Sequence, residues 1–211
     1  MAAAPASGLA EAGAAALAAA LLLAAGPAMA SAPPDFRFET FRAVCLDGFR
    51  DTEARARAVA GAGFEAVADD AHPMLATFMK VSRDAIEEAK AEDGFTGTAA
   101  AFRKTVEGRD LYVVTTTLDM PPEAEWKIDF LGCYLYDFAA EAPLDPAQFT
   151  THFDEAPAET YDEAGLVGQK WNVEKLDGVW DVSTAYFTKD GPAATAAGFS
   201  GLVIKITSTR E

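Results

Sequence analysis

Histidine and cysteine, which supply many of the metal ligands and catalytic groups in proteins, are scarce in this sequence. The 211 residues contain two of each: His72 and His152, Cys45 and Cys133. The spacings H-E-x-x-H, C-x-x-C, G-x-S-x-G and S-x-x-K do not occur, so the common zinc, redox and serine-nucleophile signatures are missing. A P-loop and a G-x-G-x-x-G fingerprint are missing too, and we expect no cofactor.

Basic residues are also few. Lysine and arginine number 17 against 33 aspartates and glutamates, which gives a formal net charge of −16. Nucleic-acid binding depends on cationic groups that displace counterions, so a nucleic-acid partner is not expected. Anionic membrane surfaces are disfavoured for the same reason. An acidic surface is compatible with a basic protein partner or with simple solubility.

The amino-terminal segment has no basic residue before Arg37, yet it otherwise has the layout of a secretory signal peptide. Residues 1–32 combine an apolar, alanine-rich core with a helix-breaking Gly-Pro pair and A-x-A cleavage sites. We predict cleavage after Ala30 or Ala32, which leaves 33–211 as a single periplasmic or secreted domain. A disordered alanine-rich leader is the alternative.

No membrane association is expected once the leader is removed. The apolar run of the leader is short of the roughly 20 residues that a spanning helix needs. Loss of Glu11 with the leader leaves 32 acidic residues against 17 basic ones, a net charge of about −15.

Helical periodicity gives way to strand alternation along the rest of the chain. Helices are predicted over residues 36–46, 52–62 and 71–94, with Asp51 capping the second, Asp70 capping the third and Gly94 ending the third. A short strand is predicted over 64–67. Three strand-like runs follow, the first two of which are predicted to form a hairpin around Glu107-Gly108-Arg109, and then a short helix and three more strand-like runs. Residues 189–199 are predicted to form a loop. Tight turns between sequential strands predict an α+β fold. We expect an antiparallel sheet of about five to six strands with the N-terminal helices packed on one side, and one short helix between two three-strand runs.

The two cysteines are predicted to face the same apolar layer. Cys45 shares the apolar side of its helix with Phe38 and Phe41, and Cys133 alternates with Leu131 and Leu135 on a strand. In an exported chain this arrangement favours a Cys45–Cys133 disulfide that ties the first helix to a central strand. Two buried free thiols and a reactive nucleophile are the alternatives.

Aromatic residues line the other side of that strand. Because both of its sides are apolar, something must cover both: the last helix and loops of the chain, a ligand or a partner. Trp180, Val182, Thr184 and Tyr186 repeat the pattern on a later strand, with Trp171 on its hairpin partner. The candidate ligand-binding residues are Phe130, Tyr134, Tyr136, Phe138, Trp171 and Trp180.

The histidines are the remaining candidates for chemistry. His72 lies near aspartates in D-D-A-H-P, and His152 precedes Asp154 in T-H-F-D-E. If these segments meet, His72, His152 and Asp154 could form a His₂-carboxylate metal site. In a chain so rich in acidic residues, a carboxylate near each histidine is also expected by chance.

These observations favour an exported, non-enzymatic binding or accessory protein that is stabilised by one disulfide. Its aromatic sheet face would contact a small apolar ligand or a protein partner. One alternative is an acidic inhibitor or immunity-type protein that masks a basic partner. Another is a hydrolase that uses His72, His152 and nearby carboxylates.

Overall fold

The computed structural model describes most of the chain that follows the predicted leader. The described residues are 35–47, 49, 51–124, 128–173, 176 and 178–210. The signal-peptide prediction therefore lies outside the described residues. None of the described helices has both the length and the apolar character needed to cross a membrane.

Within the described residues the chain forms five α-helices and eight β-strands. The helices are α1 (Phe36–Phe41), continued by a π-helical turn (Arg42–Leu46), α2 (Thr52–Gly61), α3 (Pro73–Asp93), α4 (Ala147–Phe153) and α5 (Pro192–Ala197). The strands are β1 (Glu65–Val67), β2 (Thr96–Val106), β3 (Arg109–Asp119), β4 (Asp129–Asp137), β5 (Glu159–Glu163), β6 (Leu166–Trp171), β7 (Val179–Phe187) and β8 (Gly201–Arg210).

All eight strands belong to one antiparallel sheet, in the order β1-β2-β3-β4-β8-β7-β6-β5. The sheet is two four-stranded runs joined where β4 pairs with β8, with Cys133 opposite Ile206. The predicted hairpin between β2 and β3 is confirmed. Its turn residues Glu107 and Gly108 both have positive φ angles, 51° and 78°, as a two-residue hairpin turn requires.

The α+β class and the antiparallel sheet are confirmed, but the predicted strand number of five to six is too low. Two short edge strands make up the difference: β1, which is predicted as a short strand but not counted in the sheet, and β5, which is not predicted. β1 has only three residues, and all five residues of β5 are exposed. Without a buried face, β5 has no alternation of apolar and polar residues by which a strand could be recognised. The loop predicted over 189–199 is also wrong, because it contains α5.

The prediction that all N-terminal helices pack on one side of the sheet is wrong as well. We call the side of β4 that carries Cys133 the disulfide face, and the side that carries Tyr136 the aromatic face. α1, the π-helical turn, α2 and α4 pack on the disulfide face. α3 packs on the aromatic face, where Leu75 and Met79 contact the cluster around Tyr136. The sheet is apolar on both sides because helices cover both.

The predicted start of α2 and the predicted end of α3 are observed, whereas the predicted N-cap of α3 is not. The Asp51 carboxylate accepts hydrogen bonds from the first turn of α2, and Gly94 ends α3 in the left-handed conformation. The expected cap of α3, Asp70, is wrong. His72 caps that helix instead, with its Nδ1 atom accepting from the Met74 amide at 3.2 Å.

The predicted disulfide is confirmed. Cys45 in the π-helical turn is bonded to Cys133 in β4, with their Cα atoms 5.6 Å apart. Both residues are fully buried. The alternatives of two free thiols or a cysteine nucleophile are therefore wrong. The bridge fixes the first helical segment to the strand whose opposite face forms the floor of the candidate site.

Candidate functional site

An open groove lies on the aromatic face, between the C-terminal half of α3 and the centre of the sheet. Its volume is about 380 Å³. α3 forms one wall, and β3, β4, β7 and β8 form the floor and the other wall. The residues that line it are Ser82, Ala85, Ile86, Thr116, Thr117, Leu118, Phe130, Leu131, Gly132, Tyr134, Trp180, Thr207 and Ser208. We call this space the α3 groove.

The α3 groove exists because the side chains that α3 directs toward the sheet differ in volume between the two halves of the helix. In its first half, Leu75 and Met79 are fully buried and fill the space above the sheet. In its second half, small side chains at Ser82 and Ala85 leave that space open. The helix is continuous through Ser82, so the gap arises from side-chain volume and not from a break in the backbone.

Gly132 brings two hydroxyl groups to the floor of the α3 groove. A Cβ atom at this position would lie 2.8 Å from the Tyr134 ring, and it would also collide with the Thr116 hydroxyl. Glycine therefore allows the Tyr134 ring to lean back over β4 toward Thr116. Burial raises the pKa of Tyr134, although a hydrogen bond with Thr116 opposes part of this effect. The phenol is consequently protonated at neutral pH and available as a hydrogen-bond donor or acceptor.

A pair of aromatic rings forms one end of the α3 groove. The ring centroids of Phe130 and Trp180 are 5.2 Å apart, and the rings are nearly perpendicular, at 79°. Trp180 lines the groove and remains 58% exposed. An exposed tryptophan beside a concave apolar surface is typical of a binding site.

A β-bulge accounts for the position of Trp180. The register between β7 and β8 shifts between Val179 and Asp181, so Trp180 is the extra residue. The prediction that Trp180 shares a face with Val182 is therefore wrong. Val182 belongs to the core on the disulfide face, whereas the bulge turns Trp180 toward Phe130 on the aromatic face.

Three of the six predicted ligand-binding aromatics line the α3 groove: Phe130, Tyr134 and Trp180. Tyr136 and Phe138 lie on the same face but outside the groove. Tyr136 is buried against Phe78 of α3. Phe138 stacks on the imidazole of His72, with centroids 4.5 Å apart.

The sixth predicted aromatic, Trp171, lies elsewhere. It is fully buried on the disulfide face. There it stacks on Phe149 of α4 with ring centroids 4.9 Å apart. Trp171 is therefore a core residue in this structure and does not reach the α3 groove.

Polar side chains next to the floor of the α3 groove, and on the opposite side of the sheet from it, form hydrogen bonds and ion pairs with protein groups. Thr207 donates a hydrogen bond to the Asp181 carboxylate, which also pairs with Lys205 at 3.0 Å. On the opposite side of β4, Arg55 of α2 is 2% exposed and donates to the Gly132 carbonyl at 2.9 Å. Burial lowers the pKa of Arg55 to about 10, so the guanidinium stays charged at neutral pH and braces the floor strand.

The two histidines are not brought together. His72 contacts Tyr112 and Phe138 on the aromatic face, whereas His152 of α4 contacts Phe38 on the disulfide face. Asp154 ends α4 in the left-handed conformation. Within the described residues, no cluster of three histidine, cysteine, aspartate or glutamate side chains could hold a metal ion.

Burial lowers the pKa of His72, and the charge of Asp110 opposes this effect. The neutral imidazole is the form that can accept the Met74 amide hydrogen bond as a helix cap.

Comparison with protein families, with curated proteins and with solved structures gives no match to this chain. Function is therefore inferred from the α3 groove itself.

Sequence reasoning missed the small and hydroxyl-bearing residues of the groove. Ser82 and Gly132 each carry a recognisable signal. Ser82 is a small polar residue within the apolar stripe of a helix, and Gly132 is an isolated glycine within an aromatic strand. Both patterns indicate a close approach or a gap in packing. The contributions of Thr116 and Thr207 depend on strand register, which alternation alone does not give.

Proposed function

We propose that the protein is an exported, non-enzymatic binding protein that holds a small, mostly apolar molecule in the α3 groove. The observation that supports this most strongly is the groove itself: a concave, aromatic-lined space with a few hydroxyl groups. Its volume of about 380 Å³ falls within the roughly 300–1,000 Å³ of typical small-molecule sites.

The exposed position of Trp180 supports the same proposal. Holding a tryptophan 58% exposed beside Phe130 leaves apolar surface in water, which costs free energy that a bound apolar ligand would recover. The β-bulge is the feature that turns this side chain toward the groove, and bulges are frequent next to functional sites.

Filling the α3 groove tests the proposal. The neutral dye N-phenyl-1-naphthylamine, which fluoresces strongly in apolar surroundings, serves as the probe. We expect the wild-type protein to bind it saturably and Ser82→Leu to weaken binding at least about tenfold, because leucine would occupy space that the dye needs. Val81→Leu is the matched control: Val81 precedes Ser82 on α3, is 62% exposed and does not line the groove.

Equal dye affinity in Ser82→Leu and Val81→Leu, with both variants folded by circular dichroism, would show that the dye binds elsewhere. An absence of saturable binding to the wild-type protein would also contradict the proposal.

Export is the second part of the proposal. The leader-like composition of residues 1–32 and the Cys45–Cys133 disulfide support it, since disulfides persist mainly in oxidising compartments. We expect chain recovered from a periplasmic or culture-medium fraction to begin at Ser31 or Pro33 by N-terminal sequencing. Recovery of the chain only from the cytosol, with Met1 retained and both thiols titratable, would contradict export.

A further inference from the structure

The lining of the α3 groove carries information about the ligand class, because it includes no charged side chain among the residues that the structure describes. This is notable in a chain with 24% charged residues. Asp181 and Lys205, which lie near the floor, are paired with each other. A charged ligand would lose its hydration on entering the groove without meeting an opposite charge there, which is unfavourable. The groove is therefore suited to an uncharged molecule.

The aromatic end of the groove is suited to a ring. Phe130 and Trp180 meet nearly at a right angle, at 79°, so together they present the face of one ring beside the edge of another. A planar aromatic guest can stack on one ring and meet the other edge-to-face, the two arrangements that aromatic pairs prefer. A flexible acyl chain would gain only its buried area and would lose rotational freedom on binding.

Hydroxyl groups surround Gly132, which is two residues beyond Phe130 on β4. The Tyr134 phenol leans back over Gly132, beside Thr116, and Thr207 stands opposite Gly132 on β8. Two residues along a strand span about 7 Å, which is close to the length of a two-ring aromatic system. Because the Thr207 hydroxyl donates to Asp181, its oxygen is left as an acceptor toward the groove, while Tyr134 can donate.

We propose that the ligand of the α3 groove is an uncharged, planar ring compound that carries one hydrogen-bonding oxygen, such as a phenol, a naphthol or a ring ketone. Its ring would lie against Phe130 and Trp180, and its oxygen would meet the hydroxyls of Tyr134, Thr116 and Thr207. This inference rests on the proposed function, since it specifies the ligand class of the same groove.

Four compounds of ten or eleven carbon atoms test separately whether the ligand needs a ring, an oxygen and no charge: 2-naphthol, naphthalene, decan-1-ol and 2-naphthoate. Their affinities are measured by displacement of N-phenyl-1-naphthylamine and by calorimetry on the folded protein. We expect 2-naphthol to bind about two- to tenfold tighter than naphthalene, the gain typical of one net hydrogen bond. Decan-1-ol and 2-naphthoate should each bind at least about tenfold more weakly than 2-naphthol.

Two variants test the assignment of the hydroxyl groups. In Tyr134→Phe, and in the isosteric Thr116→Val, the advantage of 2-naphthol over naphthalene should shrink toward one, while naphthalene affinity stays unchanged. An advantage that persists in both variants would overturn the assignment of the oxygen site.

If decan-1-ol binds as tightly as 2-naphthol or more tightly, the inference that the ligand is a ring compound is overturned. If 2-naphthoate does so, the inference that the ligand is uncharged is overturned. Provided that Ser82→Leu still weakens dye binding, the groove would remain the binding site in that case. If none of the four compounds displaces the dye or gives heat, the ligand-class inference fails. Loss of the dye's sensitivity to Ser82→Leu would refute the binding function as well.

Discussion

Replacing Cys45 and Cys133 together with alanine is expected to lower the free energy of unfolding by about 4.5 kcal/mol. The bridge closes a loop of 88 residues, and the chain-entropy account of disulfides assigns about that much to a loop of this length. For a domain of this size the loss corresponds to a fall of about 10 °C in the melting temperature. Urea unfolding monitored by circular dichroism, on the wild-type protein and the double variant, measures the effect.

The burial of the disulfide provides an internal control. Both cysteines are fully buried, so a reducing agent should leave the native protein intact and lower the unfolding midpoint only once unfolding exposes the bond. Adding reductant to the double-alanine variant should change nothing. Midpoints that agree between wild type and double variant would show that the bridge contributes no stability.

Replacing Gly201 with alanine is expected to cost at least about 3 kcal/mol of folding stability. Gly201 begins β8 with a φ angle of +99°, a conformation that disfavours any residue with a side chain. A Cβ atom there would lie 2.9 Å from the Phe138 Cα atom and would collide with the Asp137 carbonyl oxygen. These are backbone atoms, so relief requires movement of β4 against β8 at the centre of the sheet.

Gly61→Ala is the matched control for this substitution. Gly61 lies at the end of α2, and an added Cβ would meet no atom within 4 Å. Alanine should therefore be neutral or stabilise the fold by up to about 1 kcal/mol, through the lower entropy of the unfolded chain. Thermal unfolding of both variants checks the pair, and a Gly201→Ala variant as stable as wild type would contradict the strained geometry at β8.

Helix ends and turns could be predicted from the sequence where a residue type has one strong structural preference. Asp51 caps a helix, Gly94 ends one, and Glu107 and Gly108 form a hairpin turn as expected. The Cys45–Cys133 bond followed from the helical and strand periods that place both residues toward one apolar layer. Each of these predictions depends only on the type of one residue or on the period of its own helix or strand.

Features that depend on long-range arrangement could not be predicted in this way. The helical spacing of apolar residues in α3 indicates that the helix has a buried side, but it does not indicate which face of the sheet that side covers. β5 lacks alternation because it is an exposed edge strand. The bulge at Trp180 adds one residue to β7, and such an insertion reverses the alternation on which a face assignment depends. Phe130 and Tyr134 line the α3 groove on the face that the alternation of β4 predicts, and Trp180 reaches it through the bulge of β7. Trp171 packs in the core on the disulfide face.

The most direct test of the central claim maps where a ring compound binds. In an amide nuclear magnetic resonance titration with 2-naphthol, we expect shift changes to concentrate at Ser82, Thr116, Gly132, Tyr134 and the Trp180 indole. The amides of β5 and α4, which lie outside the groove, should remain unchanged. Shift changes centred on β5 or α4, or an absence of changes at saturating 2-naphthol, would contradict the α3 groove as the binding site.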